Sequence, residues 1–448
     1  MILTLSHWTT QTIENNELSL FNWKTNNSVD IFDLNHPIYQ FTNQKQITID
    51  YPSLSSEYQE DIDWLLAENF LISDKDKIEI KDISVTPIHA EDTLQLILLP
   101  AGEACNLDCV YCYEDHTDRS SMNEPHIHTL LNLIKNSGKK QLSIEYFGGE
   151  PMMNMKFIRQ FGEALKSNNI NFQASITTNA TLLNEKTLAQ LYDAGVKSFQ
   201  ITLDGYRELH NKLRPSKNNS IDSFEKVSGA LRTLAESHYS DLNITLRMNV
   251  NSESINEQNF KLFTETLESI VPKNDARFFI LPKIIGDYSS ANLMENERAK
   301  ESYCSDKKQA NEVTEKFEMW IDKYYRSATA ALLTHQGGYS CYAGNPNSLV
   351  ITPDLKIRKC TVALNDPINF VGYLTADGQL HKTINYDLWE KNYADNYCIS
   401  CFLNKACQGN SCPLANIKKN AKNCIPFKFQ PELLTKKVVR YYRRLNNE

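Results

Sequence analysis

Three closely spaced cysteines constrain the possible fold of this chain more than any other feature of its sequence. Cys105, Cys109 and Cys112 form the pattern C-x3-C-x2-C, and an aromatic residue, Tyr111, stands just before the last cysteine. Three thiolates at this spacing can hold one corner of an iron–sulfur cube, which four cysteines usually hold. The missing fourth thiolate leaves one iron open to a small molecule. Structural zinc is the alternative, but zinc needs a fourth Cys or His at short spacing, and His116 is the only candidate nearby.

Length and composition predict a globular protein with several domains. The 448 residues are too many for one compact core, so two or three domains are expected. Apolar residues make up 41% and charged residues 23%, as in an ordinary soluble protein. The net charge of −8 argues against a general nucleic-acid binder. We interpret the locally basic C-terminal segment as a solvated helix face that carries Lys436, Lys437, Arg440, Arg443 and Arg444.

The cysteine content points to metal ligands. Met1 to Ser6 form a short apolar strand without the basic segment of a secretory signal. No apolar run reaches the ~20 residues that a membrane helix needs. Eleven cysteines in a chain without an export signal are expected to be metal ligands rather than disulfides. The sequence therefore predicts a cytoplasmic iron–sulfur protein that binds neither membrane nor nucleic acid.

The first predicted domain, residues 1–90, contains no cysteine. Two strand-like runs, Leu18–Lys24 and Val29–Asn35, flank a polar turn, and Ser56–Phe70 has the apolar spacing of a helix. This hairpin followed by helices resembles the winged-helix-like, PqqD-like leader-recognition domains (RRE) that are fused to peptide-modifying enzymes. A domain that only packs on the enzyme is the alternative.

From Thr93 onward the pattern alternates between strands and helices. The six predicted strands are Leu94–Pro100, Gln141–Phe147, Asn171–Thr178, Lys197–Leu203, Leu242–Val250 and Ala276–Pro282. Six such units indicate an α/β fold with an open, partial (β/α)6 TIM-like barrel over residues 91–285. The active site of such a barrel lies at the C-terminal ends of the strands.

Glycine-rich and polar motifs follow these strands directly. They are Gly148-Gly149-Glu150-Pro151 after the second strand, Thr178-Asn179 at the end of the third, Asp204-Gly205 after the fourth and Arg247 on the fifth. The two glycines let the backbone come close to a ligand, and the proline fixes the turn into the next helix. For Asp204, a cap on the following loop is the alternative to a site role.

A second cysteine-rich region, residues 337–428, follows a helical linker predicted over residues 286–336, with a long helix at Asp306–Ala331. Its seven cysteines are Cys341, Cys360, Cys398, Cys401, Cys407, Cys412 and Cys424. Seven are too many for chance burial, and a zinc ribbon would use only four. A basic helix over residues 429–448 completes the predicted organisation.

The cysteine loop and the Gly-Gly-Glu-Pro motif resemble the radical S-adenosylmethionine (SAM) enzymes. The seven later cysteines resemble the SPASM extension of the peptide-modifying (RiPP maturase) members, so the resemblance covers residues 93–428. It implies three [4Fe–4S] clusters, the first of which uses its open iron to bind the amino and carboxylate groups of SAM. By position, the SAM-binding cluster takes Cys105, Cys109 and Cys112. The first auxiliary cluster takes Cys341, Cys360 and Cys412, and the second auxiliary cluster takes Cys398, Cys401, Cys407 and Cys424.

The same resemblance implies roles in SAM binding. Tyr111 packs near the adenine, and the stretch Gly148, Gly149, Glu150 and Pro151 contacts the SAM ammonium. Thr178, Asn179 and Asp204 face the ribose and the substrate, and Arg247 lies at an adenosine-facing position. Beyond Asp204, His210 and Arg214 either contact substrate or belong to a surface loop.

Three departures from the SPASM pattern bear on the first auxiliary cluster and its neighbour. The gap from Cys407 to Cys412 is one residue longer than the commonest form, and Leu355 stands where a glycine usually precedes the second cysteine. Asn347 stands where some members have an eighth cysteine. Cys304 remains unassigned, either as a free thiol or as a fourth ligand. We expect an open iron in the first auxiliary cluster.

The implied function is peptide maturation. A 5′-deoxyadenosyl radical from SAM would abstract hydrogen from a ribosomally made precursor peptide, and an intrapeptide thioether or carbon–carbon cross-link, such as a cyclophane, would form. The implied partners are that precursor, with its leader on the N-terminal domain, and an electron donor such as flavodoxin or ferredoxin. Anaerobic sulfatase maturation to formylglycine is one alternative, although those enzymes commonly have aspartate where Thr361 stands. An iron–sulfur electron-transfer or scaffold protein is the other.

Overall fold

One mixed sheet connects the barrel to the C-terminal cysteine region. The structure is a computed structural model that describes residues 1–74, 92–285 and 307–446, except residues 115, 117, 118, 255 and 392. Within these residues, strands β7 to β17 form an eleven-stranded sheet in the order β13-β12-β11-β10-β9-β8-β7-β14-β15-β16-β17. The barrel strands are β7 Thr93–Leu98, β8 Gln141–Tyr146, β9 Phe172–Thr178, β10 Val196–Thr202, β11 Asn243–Val250 and β12 Phe278–Ile284. The C-terminal strands are β14 Ser348–Ile351, β15 Lys356–Arg358, β16 Gly372–Leu374 and β17 Leu380–Lys382, and the short strand β13 is Arg326–Ser327.

The predicted partial barrel is confirmed. All six predicted strands are present with bounds within two residues of the prediction, and β7 to β12 pair in parallel register. Helices follow the strands and cover the outer face with a continuous apolar core. They are α2 Glu124–Ser137, α3 Met155–Ser167, α4 Glu185–Asp193, α5 Arg207–Leu213, α6 Ser223–Glu236 and α7 Glu257–Ile270.

The predicted long connecting helix over Asp306–Ala331 is interrupted at residues 325–327. Helix α8, Lys307–Tyr324, ends where the chain joins the sheet as β13, parallel to β12. A new helix, α9, then begins at Ala328 and ends at Thr334. Ser327 caps it, because its side chain accepts a hydrogen bond from the N–H of Ala330 at 3.3 Å. Arg326 and Ser327 therefore pair with the edge strand β12 instead of continuing the helix.

The N-terminal residues form two small antiparallel sheets and one helix. Their elements are β1 Ile2–Leu5, β2 Thr9–Glu14, β3 Glu17–Asn22, β4 Asn27–Ile31, β5 Gln46–Thr48, α1 Ser56–Ala67 and β6 Leu71–Ser73. The sheets have the orders β2-β3-β4 and β5-β1-β6. The predicted hairpin is present as β3 and β4, and the predicted helix is present as α1. The two sheets share an apolar core with α1.

The interpretation of the basic C-terminal segment as a solvated face is wrong. Short helices α10 Tyr386–Glu390, α11 Asn396–Ile399, α12 Asn404–Cys407 and α13 Pro413–Lys419 precede the long helix α14, Pro431–Leu445. Within α14, Lys437 pairs with the buried Glu318 of α8, and Arg440 pairs with Glu14 of β2. Arg443 pairs with Asp30 of β4 at 2.8 Å. The basic residues thus join the N-terminal sheet to the linker helix. None of the helices in the described ranges has the length and apolar character to cross a membrane.

Candidate active site

The cysteine loop leaves the end of β7 and is fixed by backbone hydrogen bonds to the segment after α5. The N–H of Asp108 donates to the carbonyl of Pro215 at 2.8 Å, and that of Val110 donates to Leu213 at 2.9 Å. The loop is therefore held at both sides of Cys109 before any cofactor binds.

Burial sets the protonation of the three loop thiols. It raises the pKa of Cys105 to about 12, and it also raises the pKa of Cys109 and of Cys112. Cys109 raises the pKa of both other thiols further, which places the three groups within electrostatic reach of one another. Since iron binds thiolates, cluster binding at this loop must release their protons.

The two glycines after β8 pack directly on the cysteine loop. A Cβ at Gly149 would lie 2.3 Å from the carbonyl oxygen of Ala104, and one at Gly148 would lie 2.5 Å from that of Gly102. Gly148 also has a φ of +99°, in the left-handed region that favours glycine. The backbone at these positions therefore must be free of side chains for the loop to approach. Any ligand that the motif contacts would sit beside this junction.

Glu150 connects the ends of β8 and β9. Its buried carboxylate accepts hydrogen bonds from the N–H of Met152 at 3.0 Å, the hydroxyl of Thr178 at 2.7 Å and the N–H of Asn179 at 2.7 Å. Burial raises its pKa, whereas these three donors act in the opposite direction. Pro151 begins a short 3-10 helix that leads into α3. The Glu150 carboxylate thus holds two strand ends together, as a part of the scaffold of the site.

Asn179 connects β9 to the cysteine loop. Its side-chain amide donates to the Sγ of Cys105 at 3.6 Å and to the Oδ1 of Asn106 at 2.8 Å. The sequence analysis singled out Asn179 but missed Asn106, whose own amide donates to Thr181 at 2.8 Å. Asn106 directly follows Cys105 in the cysteine loop, and this position in the sequence could have identified it as a site residue.

Tyr111 and Asp204 belong to one buried polar network. The hydroxyl of Tyr111 donates to the Asp204 carboxylate, and Arg214 donates to that hydroxyl at 2.9 Å. The N–H of Asn249 donates to Asp204 at 2.8 Å. Arg247 reaches the same network through the Oδ1 of Asn249 at 2.8 Å. The Asp204 carboxylate therefore ties the cysteine loop to β10 and β11, and does not merely cap the next loop.

His210 and Arg214 are buried, so the surface-loop alternative is wrong for both. The N–H of Asp204 donates to the Nδ1 of His210 at 3.1 Å, and burial lowers the pKa of His210. The Arg214 guanidinium lies 3.8 Å from the Asp204 carboxylate. Sequence spacing could not show this burial, because α5 folds back against the strand end that precedes it.

The barrel lumen contains a carboxylate that the sequence analysis missed. Thr177 of β9 donates a hydrogen bond to Glu145 of β8 at 2.9 Å. Burial raises the pKa of Glu145. Since alternate residues of a strand face the same side, Thr177 shares its face with Asn179, and Glu145 shares its face with Phe147. This pair places two polar groups near the apolar side chain of Phe147.

The first auxiliary set of cysteines is positioned by amides. The N–H of Cys341 donates to the carbonyl of Asn410 at 2.8 Å. Buried Asn369 accepts from the N–H of Cys360 at 2.9 Å and donates to its carbonyl at 2.7 Å. Burial raises the pKa of Cys341 to about 12, and Cys360 and Cys412 raise it further. These three thiols therefore lie within electrostatic reach of one another.

The second auxiliary set surrounds a small cavity. Its lining includes all four expected ligands, Cys398, Cys401, Cys407 and Cys424. In the described residues, no three His, Cys, Asp or Glu side chains converge as ligands of one metal ion do. Four thiols around one cavity suit a cluster of several atoms, which is also the donor set that a [4Fe–4S] cube requires.

Two local backbone features occur at two of the three departures from the family pattern. Leu355 has a φ of +59°, in the left-handed region that favours glycine. Gln408 and Gly409 both have positive φ, of +52° and +70°, and reverse the chain between Cys407 and Cys412. Cys304 lies outside the described residues.

Comparisons with known proteins find similarity over part of the chain. Residues 99–260 match the Radical SAM superfamily. An uncharacterised protein of Methanocaldococcus jannaschii is 31% identical over 140 residues, which are 31% of this chain and 48% of that protein. A cysteine-type anaerobic sulfatase-maturating enzyme of Clostridium novyi is 28% identical over 182 residues, covering 38% and 48% of the two chains. This chain thus spans about half the length of these curated relatives.

A solved structure extends the similarity in fold. Native anSMEcpe with bound AdoMet and Cp18Cys peptide matches with a TM-score of 0.56 and 18% identity, over 79% of this chain and 98% of that chain. The similarity in fold covers more of this chain than the residues that the family model matches. Residues 99–260 lie largely within the barrel, so the barrel is similar to the radical SAM domain in sequence and to a solved structure in fold.

Proposed function

We propose that this chain is a radical SAM maturase that cross-links a ribosomally synthesised precursor peptide through a thioether or carbon–carbon bond. The observation that carries the proposal is the presence of three cysteine groups, of which two are joined by one continuous sheet. The loop of Cys105 follows β7, and β14, which pairs with β7, leads into the hairpin before Cys360. The matched family and the fold shared with a peptide-bound enzyme support a peptide as the substrate.

The proposed cofactors are SAM and three [4Fe–4S] clusters on the cysteine groups described above. SAM on the first cluster would supply a 5′-deoxyadenosyl radical that removes hydrogen from the peptide. The residues of the chain orient the reactants. Tyr111, Asp204 and Asn249 fix the cysteine loop, while Glu145 and Thr177 offer polar contacts to a peptide in the lumen. The auxiliary groups suit an oxidative outcome, because closing a bond after hydrogen removal requires loss of a further electron.

The N-terminal domain is proposed to bind the leader segment of the precursor. Its strand β4 is an edge strand, and Phe32 and Leu34 directly beyond it are 70% and 57% exposed. An extended peptide can add a strand at such an edge and place alternate side chains on neighbouring apolar groups. A Phe32→Ser, Leu34→Ser variant should bind the precursor more weakly and still cleave SAM without peptide. Unchanged precursor affinity would show that the leader binds elsewhere.

Formylglycine formation is the second candidate function. It is favoured by the 28% identity to a sulfatase-maturating enzyme of Clostridium novyi and by the fold of anSMEcpe. The N-terminal domain and Thr361 after Cys360 favour cross-linking instead. Mass spectrometry separates the two, because a cross-link removes two hydrogens, whereas formylglycine formation from cysteine also replaces sulfur with oxygen.

The central test is SAM cleavage by the reconstituted, reduced protein, with flavodoxin or ferredoxin as the electron donor. We expect 5′-deoxyadenosine from the wild type and none from a triple Cys105→Ala, Cys109→Ala, Cys112→Ala variant. The variant should keep the iron of the auxiliary groups, which controls for unfolding. SAM cleavage by the triple variant at the wild-type rate would refute the assignment. An electron-transfer or scaffold protein would form no 5′-deoxyadenosine at all.

A further inference from the structure

Two lysine amines contact thiols of the second auxiliary set. The Nζ of Lys422 lies 3.7 Å from the Sγ of Cys398, and the Nζ of Lys428 lies 3.9 Å from the Sγ of Cys424. Both distances are within the range of an N–H···S hydrogen bond. Both lysines line the same cavity as the four cysteines. Two positive charges therefore stand at the wall of this cavity.

The other two cysteine groups have different neighbours. Lys359 precedes Cys360 in the first auxiliary set, but its amine donates to the backbone carbonyls of Asn345 at 2.9 Å and Ser348 at 3.2 Å. At the cysteine loop, the donors to Cys105 are neutral: the side-chain amide of Asn179 at 3.6 Å and the backbone N–H of Leu107 at 3.4 Å. The contact of a lysine ammonium with a ligand sulfur is thus a feature of the second set.

Hydrogen bonds to the sulfurs and the local charge set the reduction potential of an iron–sulfur cluster. Reduction adds a negative charge, so a nearby ammonium stabilises the reduced form more than the oxidised form. A hydrogen bond from a charged donor is also stronger than one from a neutral amide. The second cluster should therefore accept an electron more readily than a cluster without such donors.

We propose that Lys422 and Lys428 donate hydrogen bonds to the thiolates of the second auxiliary cluster and hold its reduction potential above that of the first auxiliary cluster. This inference rests on the proposed function, in that Cys398, Cys401, Cys407 and Cys424 hold a cluster. The inference also gives a direction of electron transfer. An electron that reaches either auxiliary cluster should reside mainly on the second, because its reduction potential is higher.

Asp395 affects how the substitutions must be designed. Lys422 lies between two anionic partners, since its amine is 2.5 Å from Asp395 and 3.7 Å from the Sγ of Cys398. Removing only the lysine would leave the carboxylate facing the thiolate, and this charge would lower the potential by itself. An Asp395→Asn variant and an Asp395→Asn, Lys422→Gln double variant separate the two effects.

The test is a redox titration of the reconstituted full chain, monitored by electron paramagnetic resonance. A Cys398→Ser variant identifies the signal of the second cluster. For a Lys422→Gln, Lys428→Gln double variant we expect at least a tenfold lower ratio of reduced to oxidised second cluster at a fixed potential. For a one-electron couple this equals a midpoint about 59 mV more negative. The potential of the first auxiliary cluster should not change.

Matched variants control for charge and for folding. Lys419→Gln removes one positive charge from an exposed position at the end of α13 and should leave both midpoints unchanged. Lys422→Arg keeps a charged donor, so its second cluster should have a midpoint potential close to that of the wild type and well above that of Lys422→Gln.

Each outcome of the titration bears on a different statement. An unchanged midpoint of the second cluster in the double lysine variant, with full iron content, would overturn the inference and leave the proposed function standing. A second cluster that already lies below the first in the wild type would also overturn it. If no signal depends on Cys398, the three-cluster assignment fails, and the inference fails with it.

Discussion

Trp23, which directly follows β3, lies in one apolar cluster against which Cys401 and Cys407 of the second auxiliary set pack. Only 2% of its surface is exposed, and its indole N–H donates to the hydroxyl of Thr10 at 2.7 Å. Its ring lies 5.0 Å from that of Phe21 and 5.5 Å from that of Phe402, which follows Cys401. The same apolar cluster includes Leu403 and residues of α9 and α14. We therefore expect Trp23→Ala to loosen both the domain contact and the second cysteine group.

The size of the effect follows from burial. Replacing a buried tryptophan with alanine typically lowers the free energy of unfolding by about 3–5 kcal/mol. An independent estimate multiplies about 150–250 Å² of buried aromatic surface by about 25 cal/mol per Å², which gives about 4–6 kcal/mol before the retained methyl group is subtracted. The hydroxyl of Thr10 keeps Thr435 as a partner, so no further loss is expected there. We predict a loss of about 3–5 kcal/mol.

Two measurements test this prediction. Thermal unfolding of the reconstituted protein should show a lower midpoint for Trp23→Ala, and desalting should remove iron from the second group more readily. The matched control is Trp64→Ala, because Trp64 belongs to the same N-terminal region but is 46% exposed. An exposed position should change the free energy of unfolding by less than about 1 kcal/mol. Equal effects of the two substitutions, or unchanged iron retention in Trp23→Ala, would refute the reasoning.

Two further predictions concern buried polar groups. Tyr111→Phe should lower the free energy of unfolding by about 1–3 kcal/mol and slow 5′-deoxyadenosine formation, because Arg214 and Asp204 lose the hydroxyl between them; a variant that unfolds and cleaves SAM like the wild type would contradict this. Burial, with Glu318 nearby, raises the pKa of Asp322 to about 7. The folded state then binds this proton more tightly than the unfolded state does, so stability from the neutral acid is lost as pH rises from about 4 to about 7. Relative to Asp322→Asn, wild-type stability should fall by up to about 1.4 kcal/mol per pH unit in that window, which unfolding at several pH values would reveal; parallel pH profiles would contradict it.

The barrel and the strand-end positions could be predicted because their signals are local. Strands of a parallel sheet are buried on the helix-covered side and leave short apolar runs in the sequence. A residue that follows such a run, such as Glu150 or Asp204, must then stand at the same end of the sheet. Gly148 requires glycine for a local reason, its positive φ. It also requires glycine because the cysteine loop packs against it, and this second reason is not local.

The remaining features depend on pairs that are far apart in the chain. Arg440 pairs with Glu14, and no spacing along the sequence indicates this contact. The break after Tyr324 requires the free edge of β12, which local helix propensity does not report. For Leu355, the comparison with the family pattern identified the position, but only the structure shows the left-handed backbone that makes glycine the favoured residue there.

The shared sheet fixes the position of the cysteine loop relative to Cys341 of the first auxiliary set. Strand β14 pairs in parallel with β7 from Ser348 opposite Gln95 to Ile351 opposite Leu98. An apolar cluster that includes Ile97 and Val350, with Tyr342 packed against it, fills the space beside this pairing. A ladder of backbone hydrogen bonds over a packed core resists sliding. The separation between the cysteine loop and Cys341 is therefore fixed by residues of the sheet. Under the proposed function, a peptide that contacts both groups would have to match that separation.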